Sequence, residues 1–438
     1  MLQTMRNAWK VEDIRRKILF TLLIILLYRL GNAVPVPYVN VESLNSYFTS
    51  MQNTVLGLLN VMSGGAFSNA TIFALSIQPY INASIIIQLL TIAIPALERM
   101  SKEEGEEGKK KIASITRYTT VVIGLIQGFA YYMMIKNYGF LELGDTNAVW
   151  AAIVIILTFT SGSALIMWLG EQITEFGIGN GISIILFASI VSRFPGDLYK
   201  MIYSASNGVT PWWVTVLMLL GALAMIVLIV FINDAERKLP VQYAKRVVGR
   251  KQYGGQSTHI PIKVCNSGVM PIIFAMSFMS LPATISMFVE PVKNITDSTT
   301  FGQKIYYYFI NFFKTQSYSY AVLYFILIIA FNYFYVSMQY NPVEMANNLR
   351  QSNGGIPGIR PGKPTADYIS KVLSKLTLVG AVFLGIIAIF PIIFVRLTNM
   401  PISSMGGTSV LIVVSVAIET VRTLESQLMM RHHKGFLG

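Results

Sequence analysis

Gly181-Ile-Ser-Ile-Ile-Leu-Phe-Ala-Ser-Ile-Val-Ser-Arg-Phe194 is an apolar run of 14 residues. On length alone it falls short of the roughly 20 residues that a helix needs to cross a bilayer. Its reading decides the fold. Nine longer apolar stretches accompany it, at roughly 18–37, 74–96, 116–137, 148–170, 212–233, 268–289, 318–339, 374–395 and 408–426. If the short run also crosses and the N-terminus is inside, the inside segments are 1–17, 97–117, 171–180, 234–264, 340–375 and 422–438. Those segments hold 26 of the 34 Lys and Arg; only Arg29, Lys136, Arg193, Lys200, Lys293, Lys304, Lys314 and Arg396 lie outside or at outer ends. If it does not cross, the basic loops after it face outward and the bias collapses, against the preference of Lys and Arg for the cytoplasmic side. The charge therefore predicts ten spans with both termini in the cytoplasm.

Composition agrees. Charged residues are 13% of the 438-residue chain, about half the usual 25% of a soluble domain. The hydrophobic fraction is 53% and the mean hydropathy +0.56. A soluble fold could not cover that much apolar side chain. Cys265 is the single cysteine, so an intrachain disulfide is excluded. The basic start runs into a long apolar stretch without an A-x-A site, which argues against a cleaved signal peptide. The formal charge of +13 reads as basic cytoplasmic loops rather than nucleic-acid binding. Ten spans divide into halves 1–200 and 201–438, and an odd number in each sets the second upside down, as in inverted-repeat proteins. No residue-level repeat is visible. Residues 55–73 are moderately apolar but broken by Ser63-Gly64-Gly65 and Ser68-Asn69. A lipid-facing helix would leave backbone groups unpaired there, so a re-entrant segment enclosed by protein is expected. An outer surface loop is the other reading.

Catalytic chemistry has no foothold. His259, His432 and His433 have no acidic or cysteine partner at metal-ligand spacing. Gly362-Lys363 is no phosphate loop, since Pro357 stands five positions before Gly362. Gly177-Ile-Gly179-Asn180-Gly181 follows a helix rather than a strand, against a dinucleotide fingerprint. The span centres lack Asp, Glu, Lys and Arg, which ion-coupled pumps place at mid-membrane. Catalysis, metal and cofactor are therefore not expected. An inverted-repeat solute transporter stays as the alternative to a channel, and a membrane-embedded enzyme as a third class. The polar mass lies in two inside loops, 234–264 and 340–371. The first interleaves Val241, Tyr243, Val247 and Tyr253 with seven basic residues. The second carries Arg360 on the Pro/Gly-stiffened tip Gly354–Gly362. Topology alone explains part of this charge, but loops of that length more often dock a partner, either ribosomal RNA or an acidic protein surface.

Long motifs then add a resemblance. Ala74-Leu-Ser-Ile-Gln-Pro79-Tyr-Ile-Asn-Ala-Ser84-Ile-Ile-Ile-Gln88-Leu-Leu90 and Leu169-Gly-Glu171-Gln-Ile-Thr-Glu175-Phe-Gly-Ile-Gly179-Asn180-Gly181-Ile-Ser183 resemble the two signatures of the SecY family, central subunits of the Sec protein-conducting channel. Gln256–Lys263, Pro357–Gly362 and Gly406-Gly-Thr408-Ser409 match in kind and order. The resemblance covers essentially the whole chain. Ser76 departs from it, where the family commonly has Gly; both are small, and no functional consequence is read from the change.

The resemblance implies an all-α fold of ten transmembrane helices in two inverted five-helix halves with a re-entrant plug at about 60–72. The halves would part laterally toward lipid. It implies passage of unfolded secretory chains across the plasma membrane, and lateral release of transmembrane segments. Energy would come from the motor ATPase SecA or from a ribosome touching the basic loops through its RNA. SecE and SecG would flank the chain, and signal sequences and membrane lipid would be its other contacts. Ile81, Ile85, Leu186, Ile190, Ile273 and Ile412 match the pore ring, though any one judged alone reads first as core packing or a lipid contact. Ser63, Gly64, Gly65, Phe67 and Asn69 fall in the plug. Gln88 and Thr91 would meet Asn266 and Ser277 across the lateral gate. Arg360 with Arg246 and Arg250 would dock SecA and the ribosome.

Overall fold

The computed structural model describes residue 6 and residues 8–50, 55–102, 104–144, 146–208, 211–243, 246–248, 251–253, 257–288, 301–313, 317–398 and 407–434. Helix α1, Glu12–Gly31, opens with Glu12 and Asp13 in its first turn and carries Arg29 in its last, so its charges oppose the helix dipole at both ends. It buries Ile14, Thr21, Ile24 and Tyr28, while Leu19, Leu23, Leu26 and Leu30 lie on the opposite, exposed face. In water such a face would be costly; in lipid it is the expected surface.

After α2 (Val41–Ser50) and α3 (Val55–Met62) the chain runs through turns to α4 (Gln78–Ala93). Pro95 has no N–H to continue the ladder and its ring clashes with the preceding turn. α5 (Pro95–Lys102) therefore leaves α4 at a bend of 105°. α6 (Gly105–Asn137), α7 (Ala148–Phe176), α8 (Gly181–Ser206) and α9 (Trp212–Asp234) complete the first series. The segment 177–181 is shaped for a tight return. A Cβ on Gly181 would lie 1.9 Å from the Gly170 carbonyl oxygen, so only glycine lets α8 start against α7. The Asn180 side chain caps α8, accepting from Ile182 and Ser183 at 3.1 and 3.4 Å.

α8 corrects the length inferred from sequence. It spans 26 residues rather than 14, with Pro195 inside, and is apolar and long enough to cross. Pro195-Gly196 reads as a stop, but a proline costs a helix one ladder bond without always ending it.

The second series is α10 (Met270–Phe288), α11 (Phe301–Phe312), α12 (Tyr318–Gln339), α13 (Pro342–Gln351), α14 (Lys363–Thr398) and α15 (Gly407–Lys434). Among the described residues a helix lies at each of the ten expected spans. Six helical stretches are individually long and apolar enough to cross, and the bent pair α4 and α5 makes a seventh. α10 has a short apolar run, Met270–Pro282, and α1 and α15 carry charged end turns, consistent with ten spans.

The two basic loops depart from an all-helical reading. β1 (Glu236–Tyr243) pairs antiparallel with β4 (Ser257–Lys263), and β2 (Arg246–Val248) with β3 (Lys251–Tyr253) between them. From the other loop β5 (Gly354–Gly355) joins the free edge of β1, Gln242 opposite Gly355 and Tyr243 opposite Gly354. Leu239, Val241 and Ile262 alternate inward and pack on Leu349, Ile356, Ile369 and Leu373. The loops thus form one small platform with its own core.

Candidate pore, plug and loop platform

Residues 63–77 follow α3 as a chain of turns rather than helix, and they are enclosed. Phe67 is 3% exposed. Its ring stacks on Tyr131 of α6 at 4.5 Å and meets Phe48 of α2 edge-on at 5.1 Å. The Tyr131 hydroxyl donates to the Phe67 carbonyl, and Asn45 donates to Asn69 at 3.1 Å. Asn60 holds the segment internally: its side-chain oxygen accepts from the Ser68 N–H at 3.0 Å and its carbonyl from Gly65 at 2.9 Å. Ser63 contributes a hydroxyl that accepts from the Phe67 N–H at 3.1 Å. Gly64 sits at φ +68 against α8, where a Cβ would come within 2.9 Å of the Ser189 carbonyl oxygen. The segment is buried in the bundle, as its broken sequence required, and not a surface loop.

Ile81, Leu186, Ile190, Ile273 and Ile412 are buried in one apolar cluster, and Ile85 is half-buried against it. They come from α4, α8, α10 and α15. On the side of the basic loops, a cavity of about 690 Å³ opens among Lys263, Asn266, Tyr340, Ser415, Glu419 and Arg422. Ser415 is one turn beyond Ile412, and Cys265 and Val269 belong to both the cavity lining and the apolar cluster. Burial pushes the Lys263 ammonium down from its ordinary range.

Among the described residues no hydrogen bond joins Gln88 or Thr91 to Asn266 or Ser277. Gln88 donates to Ser84 at 3.2 Å and Thr91 to the Ile87 carbonyl at 2.7 Å, both within α4. Among the described residues the Asn266 amide nitrogen and the Ser277 hydroxyl have no hydrogen-bond partner. The bond that does cross is Gln78 to Ser280, 3.0 Å. In antiparallel helices that register sets Ser277 opposite Ile81, about two turns from Gln88. A second buried network was missed as well. Ser267 bonds to Asn332 of α12, whose amide donates to the Thr377 carbonyl of α14 at 2.9 Å. An Asn inside an otherwise apolar and aromatic span was the signal.

Arg360 is exposed at the tip of the second loop. Its carbonyl accepts from the Thr365 hydroxyl at 2.8 Å, and the neighbouring Ile356 is anchored in the platform core. Gly358 and Gly362 flank it at φ +82 and +99. Arg246 lies on β2, of which only the backbone is described, and Arg250 lies outside the described residues.

Ser76 is more consequential than its size implied. It holds φ +50, a left-handed conformation that favours glycine, and its buried hydroxyl has no partner among the described residues. It lines a cavity of about 30 Å³ with Phe67, Gln78, Gln127 and Leu186.

A bundle of membrane-crossing helices with a segment folded back into its interior and a large cavity beside the basic loops is the architecture of a class, the multi-pass helical membrane channels. The chain belongs to the SecY family: the family's sequence profile matches residues 71–421. The protein translocase subunit SecY of Bacillus subtilis is 45% identical, with the whole of both chains covered. A SecY channel structure concerned with its plug domain, which maintains a membrane seal, superposes with TM-score 0.63 at 17% identity, covering 94% of this chain and 92% of that one. Sec61 of the canine ribosome–channel complex gives 0.60 at 15% identity with the same coverage. At those identities the two structures establish the shared fold.

Proposed function

We propose that the chain is the pore-forming subunit of a protein-conducting channel in the plasma membrane, passing unfolded secretory polypeptides across and releasing transmembrane segments sideways. The observation that supports this reading is that Ile81, Leu186, Ile190, Ile273 and Ile412, from four helices, are buried in one apolar cluster, with the enclosed Phe67 segment and a large cavity on the side of the basic loops in the same bundle. A ring of such side chains dewets when empty yet yields to a passing chain. A solute transporter would want a polar or ionic site where this ring lies. The chain itself supplies positioning and sealing, and no covalent step is assigned to it.

In this reading residues 1–200 and 201–438 are the two halves, both termini are cytoplasmic, and the basic platform faces the cytoplasm. Residues 60–72, with Ser63, Gly64, Gly65, Phe67 and Asn69, are the plug. Ile81, Ile85, Leu186, Ile190, Ile273 and Ile412 are the pore ring. α4 and α10 are the lips of the lateral gate, held by Gln78 and Ser280 more than by Gln88, Thr91, Asn266 and Ser277. Arg360, with Arg246 and Arg250, docks SecA or the ribosome, and SecE and SecG flank the bundle.

Reconstitution of the chain with these partners separates the readings, since a SecA-driven preprotein should cross and small solutes should not. Arg360→Glu should abolish SecA-driven export while membrane insertion persists. Arg360→Lys should still impair it, because an ammonium cannot reproduce two parallel guanidinium hydrogen bonds. Near-normal export by the lysine variant would reduce Arg360 to a topological charge.

A further inference from the structure

α11 has no role in the reading above. The chain leaves α10 at Phe288 and enters α12 at Tyr318, so α11 lies at the end of the bundle opposite the basic loops. Its C-terminus is fixed there, since the Ser319 hydroxyl in the first turn of α12 donates to the Phe312 carbonyl at 2.8 Å. At about 100° per residue its side chains fall into three sectors. Phe313, just past its end, packs on the main apolar cluster, and Tyr306 shares that side. Burial, and the neighbouring Tyr138 phenol, push the Tyr306 hydroxyl up from its ordinary value. Gln303, Lys304, Tyr307 and Asn311 make a polar sector. Ile305, Tyr308, Phe309 and Phe312 make a third sector, about 100° wide, which is apolar and exposed; Tyr308 is 67% and Ile305 55% exposed.

An apolar stripe beside a polar stripe, on a helix at the level of the span ends, is the pattern of a helix lying in a membrane interface. The stripe continues an existing lipid-facing surface. Tyr318 at the start of α12 is 69% exposed, and Val322 and Ile326 extend the same face down that span. Trp150, Trp212 and Trp213 are likewise exposed at the corresponding ends of α7 and α9, where aromatic rings settle at headgroup level.

We propose that α11 is an interfacial anchor whose Ile305–Tyr308–Phe309–Phe312 face lies among the headgroups and upper acyl chains of the outer leaflet. It ties the outer ends of α10 and α12 to the bilayer surface. This rests on the membrane reading and not on polypeptide transport, so either can fail alone.

Spin labels on single cysteines test it, in full-length chain carrying Cys265→Ala and reconstituted in phosphatidylethanolamine–phosphatidylglycerol vesicles. Labels at Tyr308→Cys and Phe312→Cys should relax readily with oxygen, which concentrates in hydrocarbon, and resist a water-soluble nickel chelate. Labels at Gln303→Cys and Asn311→Cys should show the reverse. Equal nickel access at all four positions would place the helix in water and overturn the proposal. Protection of 308 and 312 from both reagents would assign the face to a protein neighbour and overturn it equally.

Discussion

The segment around Phe67 and the proposed ring around Ile81 lie in the same bundle but are held by opposite chemistry. Phe67 is fastened by direction-dependent contacts: a phenol on its carbonyl, a stacked ring, and the Asn45–Asn69 bond nearby. Ile81, Leu186, Ile190, Ile273 and Ile412 carry no polar side-chain atom and are held in the apolar cluster by packing alone. Directional bonds are made or broken, so they give a closure with two states. Dispersion contacts give way gradually and accommodate any shape. A path that must seal between events and stretch during them has use for both.

The sharpest break in that contrast comes from making the ring polar. Ile81, Ile85 and Ile190 changed together to Ser should let water fill the constriction, giving a steady resting ion leak on the order of tenfold or more above the unmodified chain. Planar-bilayer recordings check this, and an unaltered conductance would remove the ring from the seal. Tyr131→Phe tests the other closure. It keeps the stacking but leaves the buried Phe67 carbonyl unpaired, at about 1–3 kcal/mol. Brief openings should become more frequent, by about tenfold for each 1.4 kcal/mol, without a steady leak.

Smaller effects sharpen the comparison at the seam between α4 and α10. Gln78→Leu removes the crossing hydrogen bond to Ser280, worth about 0.6–2 kcal/mol in a membrane. It should lower the hydrophobicity that a signal sequence needs for export, whereas Gln88→Leu, which loses only a bond within its own helix, should not. An equal shift in both variants would contradict the register. The smallest change is Ser76→Gly. Relieving a left-handed serine should stabilise the fold by about 1 kcal/mol. Thermal unfolding in detergent reads this, and an unchanged or lower midpoint would show that the serine carries no strain.

Much of this was legible in the chain. The multi-pass helical class follows from hydropathy and from where Lys and Arg fall, and the broken segment from Ser63-Gly64-Gly65, because both are local consequences of excluding water. The enclosure of Phe67 followed from the same logic. What escaped depends on partners distant in sequence. β1 is crowded with Arg237 and Lys238 and interrupted by Pro240, so it does not read as a strand, and its pairing with Gly354 and Gly355 joins residues more than a hundred apart. The Gln78 to Ser280 bond was not anticipated, because polar residues in adjoining helices do not by themselves announce a register. Ser76 looked neutral because size is visible in a sequence and φ is not.

The hydrogen bonds of residues 59–71 have a further consequence, for timing. Ser63 to Leu59, Gly65 to Asn60 and Thr71 to Ala66 close the segment on itself, while Val36 to Ala70 and Ile72 to Val34 tie its trailing end to the chain after α1. As the proposed plug it would swing aside as a preassembled piece on a short leash. Nothing needs refolding before it returns, so its recovery belongs with loop and hinge movements of microseconds to milliseconds, roughly, rather than with slower local unfolding. In that reading the interval during which ions could escape behind a departing polypeptide would be set by how quickly a small body diffuses back, and not by a search through conformations.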